Sequence, residues 1–192
     1  MSVGKLLLHP RAVEMAPPPQ AKLIAAMQSL GLFGDTLERD GGRPSFLAGR
    51  RFLQLITFLG CSPHINLEPP DDGKGEFCHL ELLGPWQHPR FIQGRNTRPP
   101  GCPVCKRKKP EWRSLMEQQR IEGRMTSWTC DACGTQTPPS RWNWRQQAGF
   151  GRLLIQVSSI FPSEAVPTEE LMSSLAALSG SPWQYFYIQD LD

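Results

Sequence analysis

Four cysteines in the middle of the chain are the residues whose type and spacing could do chemistry. They form two C-x2-C pairs, Cys102 with Cys105 and Cys130 with Cys133, and 24 residues separate the pairs. Two intervening residues let a tight turn aim both sulfurs at one point about 2.3 Å away, and a hairpin between the turns can close a tetrahedron around Zn²⁺. Because thiolates would fill all four positions, the spacing predicts a structural zinc ion with no open site for water.

The residues that follow each pair bear on the turn geometry. Gly134 comes directly after Cys133, where a knuckle turn needs a positive φ that glycine adopts freely. Lys106 stands at the matching place in the first pair, so the first knuckle departs from the ideal pattern. Residues 101–137 resemble the zinc-ribbon family, which occurs in many nucleic-acid-binding and protein-assembly factors. The resemblance covers this segment alone.

Other cysteine chemistries stay open beside zinc. A disulfide requires an oxidising compartment, but the first residues contain only a brief apolar run at 6–8 and no small-residue cleavage site, which predicts a cytoplasmic protein without a membrane span. A redox C-x-x-C is expected at the start of a helix, whereas Cys105 precedes a basic run and Pro110. An iron centre with the same four ligands is the third alternative.

Proline pairs predict the domain organisation. Pairs at 99–100 and 138–139 bracket the cysteine segment, and such pairs do not lie inside helices or central strands. We therefore expect an N-terminal part of the body at 1–98, a zinc-ribbon insertion at 99–139 and a C-terminal part of the body at 140–192.

Outside the insertion, the hydrophobic pattern mixes helices and strands. A helical stripe covers Gln20–Leu30 and ends at Gly31, and a second helix begins after Thr168 and ends at Gly180. Short apolar runs predict strands at 51–59, 75–83, 90–93, 152–161 and 183–188. The fold class predicted is α+β: a small, mostly antiparallel sheet with one helix near each end, covered mainly on one face and interrupted by the zinc ribbon.

Charge is segregated along the chain. Residues 90–152 hold 13 Lys and Arg against 4 Asp and Glu, whereas residues 153–192 hold none against 5. Such a field favours an acidic or polyanionic partner. Tentative partner-binding residues are Lys106, Arg107, Lys108 and Lys109, in a loop expected to be exposed, and Arg141, Trp142, Trp144 and Arg145.

The tryptophans allow two interpretations. Exposed Trp beside Arg suits single-stranded nucleic acid, because every base offers a face for stacking, and it also suits protein interfaces. However, Trp142 and Trp144 alternate with polar residues, so in a strand both rings would project from one side, which could be core.

A second Cys/His site is conceivable around Cys61, His64, Cys78 and His79. Against it, Cys78 and His79 are adjacent in a predicted strand, so their side chains would point to opposite faces.

Catalytic motifs are lacking: the chain has no G-x-S-x-G elbow, phosphate-binding glycine loop or H-E-x-x-H helix. The sequence therefore favours a non-catalytic zinc-binding adaptor, assembly factor or accessory subunit that docks a basic face on a larger protein or complex with an acidic surface. The main alternative is a factor that binds RNA or single-stranded DNA through the same face, and an enzyme with scattered catalytic residues is a third. No membrane and no small-molecule substrate are inferred.

Overall fold

The computed structural model of the chain describes residues 4–39, 42–59, 65–70, 75–160 and 164–189. These residues form the α+β fold that the sequence predicts, with four helices and a six-stranded sheet. In chain order the elements are β1 (Gly4–Pro10), α1 (Gln20–Leu30), β2 (Phe33–Leu37), β3 (Ser45–Ala48), α2 (Phe52–Leu55), β4 (Ile56–Phe58), β5 (His79–Leu83), β6 (Arg90–Gln93), α3 (Trp112–Glu122), β7 (Trp128–Thr129), β8 (Gln136–Thr137), β9 (Ala148–Gly151), β10 (Leu154–Ile160), β11 (Ala165–Pro167), α4 (Glu169–Ser179) and β12 (Trp183–Gln189).

The main sheet has the strand order β12-β1-β10-β5-β3-β2, and neighbouring strands are antiparallel. Strand β1 lies between β10 and β12, with Leu6 opposite both Val157 and Tyr187. The apolar run at 6–8 is therefore an interior strand, and all three of its leucines are fully buried. Because successive side chains alternate between faces, a continuous apolar run is what a strand covered on both faces requires.

Helices α1 and α4 cover one face of this sheet, as predicted. Gly31 ends α1 in a left-handed conformation (φ 87°), and Gly180 ends α4 in the same way (φ 73°). The Thr168 hydroxyl caps α4 by accepting the N–H of Leu171. The helix side chains buried against the sheet are Leu23, Met27, Leu171 and Leu175.

The single strand predicted at 51–59 is wrong in its first half. Phe52–Leu55 form the one-turn helix α2, and only Ile56–Phe58 are extended, paired with β11. Phe52 and Leu55 are both buried while Leu53 is 54 % exposed, so the apolar spacing here is helical. A short apolar run fits either period, and the sequence alone does not separate them.

The other predicted strands are present, three of them with changed bounds. Of 75–83, only His79–Leu83 is extended, 90–93 matches β6, and 152–161 and 183–188 contain β10 and most of β12.

The second face of the sheet is also partly covered, beside the face that was expected to carry most of the cover. Strands β6 and β9 pair with each other and pack on a smaller core that includes Leu7 and Phe186. A Cβ at Gly149 would collide with the Phe186 ring, so glycine permits this close approach.

The cysteine segment contains a helix that the predicted hairpin did not include. Helix α3 occupies much of the stretch between the pairs, and only β7 and β8 form a short antiparallel hairpin. A separate core holds Cys102, Trp112, Met116, Trp128, Cys130, Trp142, Trp144, Ala148 and Phe150. Side chains from 99–139 thus share one core with residues that follow them, and the predicted domain boundaries at 99 and 139 stay a prediction.

None of the helices in the described part of the chain combines the length and the apolar character needed to cross a bilayer.

Candidate metal centre

The four cysteine sulfurs lie together, all within 4.8 Å of one another. Cys102 Sγ is 3.7 Å from Cys133 Sγ, and Cys105 Sγ is 3.5 Å from Cys130 Sγ. Four ligands at about 2.3 Å from one ion would be separated by about 3.8 Å, so the arrangement fits tetrahedral coordination of a single metal. The four thiols are free, and their sulfurs are much farther apart than the roughly 2.05 Å of a disulfide. No other group of three or more metal-ligating side chains occurs among the described residues.

The two cysteine pairs sit on matching turns. In the first, the N–H of Lys106 donates to the carbonyl of Cys102 (3.1 Å), and in the second, the N–H of Gly134 donates to the carbonyl of Cys130 (2.8 Å). Gly134 has a φ of 68°, as its predicted role requires, and Lys106 takes the same left-handed conformation with a φ of 64°. The first knuckle therefore keeps the ideal geometry, with a lysine in a conformation that costs a side-chain-bearing residue roughly 1 kcal/mol.

Hydrogen bonds prepare one sulfur for ionisation. The hydroxyl of Thr135 lies 3.2 Å from Cys133 Sγ. This hydroxyl, followed by the backbone N–H of Thr135, lowers the pKa of Cys133 to about 6. Since metals bind thiolates, a thiol that ionises easily favours metal capture at neutral pH.

Lys109 is buried, contrary to the expectation of an exposed loop from 106 to 109. Its side chain is 8 % exposed, and its Nζ lies 2.7 Å from Oε1 of Glu111 and 2.8 Å from Oδ2 of Asp131. Burial acts to lower the pKa of Lys109, but the two carboxylates outweigh it and raise that pKa. Lys109 therefore links the segment after the first knuckle to the second knuckle. The exposed basic residues of the run are Lys106, Arg107 and Lys108.

Trp142 and Trp144 are core residues, 3 % and 5 % exposed, so the interpretation that they face a partner is corrected here. Their indole N–H groups donate to the carbonyls of Thr137 (3.4 Å) and Pro139 (2.8 Å). Their rings pack in an aromatic cluster with Phe91, Trp112, Trp128 and Phe150. Neither ring presents a free face to a nucleobase.

Arg141 and Arg145 are exposed, because they alternate with the buried tryptophans. Asn143, between them, bridges to the first knuckle: its N–H and carbonyl both pair with Gly101, at 2.9 and 3.0 Å. The segment that carries the two arginines is thereby fixed against the first knuckle.

The second Cys/His cluster is not assembled from Cys78 and His79. Cys78 is fully buried in the core under the helices, where burial raises the pKa of its thiol to about 12. His79 points to the other face, where Nδ1 lies 2.9 Å from the Phe77 carbonyl and the ring also contacts the Arg39 guanidinium. Cys61 and His64 lie outside the described residues.

Three residues beside the centre were not predicted from the sequence. The Lys109 partners Glu111 and Asp131 carry no pattern that pairs them with a buried lysine. The contact of Thr135 with Cys133 is predictable from the sequence, since a hydroxyl two residues after a ligand cysteine can reach its sulfur.

Comparisons of the chain with protein-family models, curated proteins and solved structures find no match. The function of the chain is therefore inferred from the geometry of the four-cysteine site.

Proposed function

We propose that the chain is a non-catalytic zinc-binding adaptor or accessory subunit, which docks a basic surface on an acidic surface of a larger protein. The observation that carries the proposal is the position of Arg107 and Lys108: both are exposed on the turn that follows the first cysteine pair. A four-thiolate centre has no open ligand position, so its role is to hold this turn in one shape.

The ion proposed is Zn²⁺, which accepts four thiolates in tetrahedral geometry and has no redox chemistry of its own. Metal analysis of the purified chain is expected to give one zinc per chain. A visible thiolate-to-iron absorption with one iron per chain would identify the iron alternative instead.

Burial of the tryptophans favours a protein partner over nucleic acid. Proteins that hold single strands combine basic grooves with aromatic faces on which bases stack. Here Trp142 and Trp144 are buried, while the basic residues predicted to bind the partner are exposed except for Lys109, and arginine and lysine also pair with carboxylates on a protein.

Affinity purification from native lysate tests the docking surface with two matched variants. R107E/K108E reverses two charges on the knuckle, and K22E/R50E reverses two exposed charges on the body. Lys106 is left unchanged because its backbone conformation belongs to the knuckle. A stoichiometric protein that survives nuclease treatment, is retained by K22E/R50E and is lost with R107E/K108E is the expected result. Recovery of the chain alone contradicts the proposal.

A salt titration with a fluorescent 20-nucleotide single strand tests the alternative. A nucleic-acid-binding factor loses affinity log-linearly with salt, and the slope falls by about one unit for each phosphate-contacting Lys or Arg removed. We expect no such binding at low salt.

A further inference from the structure

A groove of about 1030 Å³ separates the cysteine segment from the edge of the main sheet. One wall includes Val104 and Thr135 from the knuckles together with Arg141. The opposite wall includes Arg11, which follows β1, and Tyr185 on β12. The metal centre therefore sets the position of one wall of the groove.

The sheet strand that borders this groove is open on its outer edge at Tyr185 and covered at Tyr187 and Gln189, where the Gln189 N–H donates to Asn96 Oδ1 (3.0 Å) and the Gln189 carbonyl accepts the N–H of Arg95 (3.0 Å). β12 is the first strand of the sheet and pairs with β1 on one side only. On its outer side, the N–H of Tyr187 donates to the Gln146 carbonyl (2.9 Å), and the Tyr187 carbonyl accepts from Asn96 Nδ2 (3.0 Å). Because the backbone repeats every two residues, the N–H and C=O of Tyr185 point to the same outer side. In the described part of the chain, no residue hydrogen-bonds to them there.

The charge of the groove has one sign. Arg11, Arg141 and Arg145 line it, all three are exposed, and the described residues that line it include no Asp or Glu. None of these guanidinium groups forms an ion pair with a carboxylate of the described residues. Guanidinium groups bind carboxylates through two parallel hydrogen bonds, so the groove offers free sites for acidic side chains.

A strained turn holds Arg145 at the groove. Arg145 and Gln146 have φ values of 54° and 56°, and the N–H of Gln147 donates to the Trp144 carbonyl (3.0 Å), which closes a tight turn. Such turns prefer Asn-Gly, and side-chain-bearing residues there carry strain that tends to persist at functional sites. The N–H of Arg145 also donates to Asn143 Oδ1 (2.9 Å), and this second hydrogen bond fixes the backbone of Arg145.

These observations together point to an extended, acidic segment of the partner protein, which we infer binds in this groove and adds to the outer edge of β12. Its backbone would pair with Tyr185, and its carboxylates would pair with Arg11, Arg141 and Arg145, as in other cases of strand addition to a sheet edge. The inference rests on the proposed protein-binding function and adds a second contact with the same partner, apart from the one at Arg107 and Lys108, together with its mode of binding.

Selection from a library of random 12-residue peptides displayed on phage, against the zinc-loaded full chain, tests the inference. Acidic peptides are expected to be enriched, and R141E/R145E is expected to weaken a selected peptide at least about tenfold. R107E/K108E, with the same charge change on the knuckle, should weaken it less than about threefold. If R107E/K108E abolishes binding and R141E/R145E does not, the docking function stands and the groove is wrong. Failure to enrich acidic peptides, or tighter binding of a 20-nucleotide strand that depends on Arg141 and Arg145, also overturns it.

The role of the backbone has its own matched pair, Y185P and Y185A. Both remove the Tyr185 side chain, but only proline removes the outward N–H, and proline is tolerated on an edge strand whose N–H faces away from the ladder. Y185P should lose the selected peptide while Y185A keeps it. Should Y185P fail to fold, hydrogen exchange of the Tyr185 amide in the unmodified chain decides: slowing by about tenfold or more with peptide supports strand addition, and an unchanged rate overturns it.

Discussion

The ammonium group of Lys109 lies 2.8 Å from Oδ2 of Asp131, and this contact joins the chain after the first knuckle to the second knuckle. The lysine side chain is buried, whereas the side chain of the aspartate is 74 % exposed. The contact therefore depends mainly on the fixed position of the buried lysine. The carbonyl of Thr129 also accepts from the same Nζ, at 3.3 Å.

Lys109→Ala should therefore destabilise the metal-binding segment by about 1–2 kcal/mol, because it leaves Glu111, Asp131 and the Thr129 carbonyl without their shared donor. Thermal unfolding of the zinc-loaded chain, with the rate of zinc transfer to a chelator, measures the effect. Lys108→Ala is the control, since that side chain is exposed, and it should change stability by less than about 0.5 kcal/mol. Equal effects of the two variants would show that the buried contact contributes nothing.

The matching left-handed residues of the two knuckles predict substitutions of opposite sign. Lys106→Gly should stabilise the chain by about 0.5–1 kcal/mol, because glycine adopts φ 64° without strain. Gly134→Ala should destabilise it by about 1 kcal/mol or more, because alanine resists φ 68°. Chemical denaturation of both zinc-loaded variants gives the comparison, and the same sign for both would refute it.

His9 predicts a loss of stability in mild acid. Burial lowers the pKa of His9 to about 4, although the Pro10 carbonyl acts in the opposite direction. Between pH 6.5 and 4 the unfolded chain binds a proton on this residue that the folded chain does not. The free energy of unfolding therefore decreases as the pH is lowered through this range, by up to about 3 kcal/mol. Above pH 6.5 His9 contributes nothing, because it is neutral in both states.

His9→Gln should remove this part of the pH dependence, since glutamine can donate to the Pro10 carbonyl and does not titrate. Urea unfolding at about pH 7 and about pH 5 measures the difference between the variant and the unmodified chain. Both proteins keep the same cysteines, so acid effects on metal binding cancel in the comparison.

Removal of the metal should loosen the aromatic core that lies beside the cysteines. Trp112, Trp128, Trp142 and Trp144 are all buried there with Cys102 and Cys130. Binding of a structural zinc ion is coupled to folding, so a strong chelator is expected to shift tryptophan emission to longer wavelength and to increase quenching by acrylamide. Restoring zinc should reverse both changes. An emission spectrum that is unaffected by complete metal loss would mean that the core does not depend on the ion.

Helices with clear ends were predictable from sequence, and so was the four-cysteine centre. Gly31 and Gly180 mark helix ends by a backbone conformation that favours glycine, and the C-x2-C spacing encodes its own local geometry. Both kinds of signal are local, so the rest of the fold does not override them.

Features that depend on distant residues were not predictable in the same way. Lys109 belongs to a basic run of sequence, yet carboxylates that only the fold brings near it allow its burial. The core position of Trp142 and Trp144 was one of two open interpretations, because alternation shows that two side chains share a side but not what covers that side. Tyr185 borders a groove whose other wall comes from the knuckles, and no pattern in β12 indicates that wall.

The pairing of β1 with β10 and β12 sets an order of events during synthesis. Residues 4–10 pair only with residues 154–160 and 183–189 in the sheet. The first strand therefore cannot pair until nearly the whole described chain has left the ribosome. All four cysteines emerge before either neighbour, and the ion can be captured while the main sheet is still incomplete.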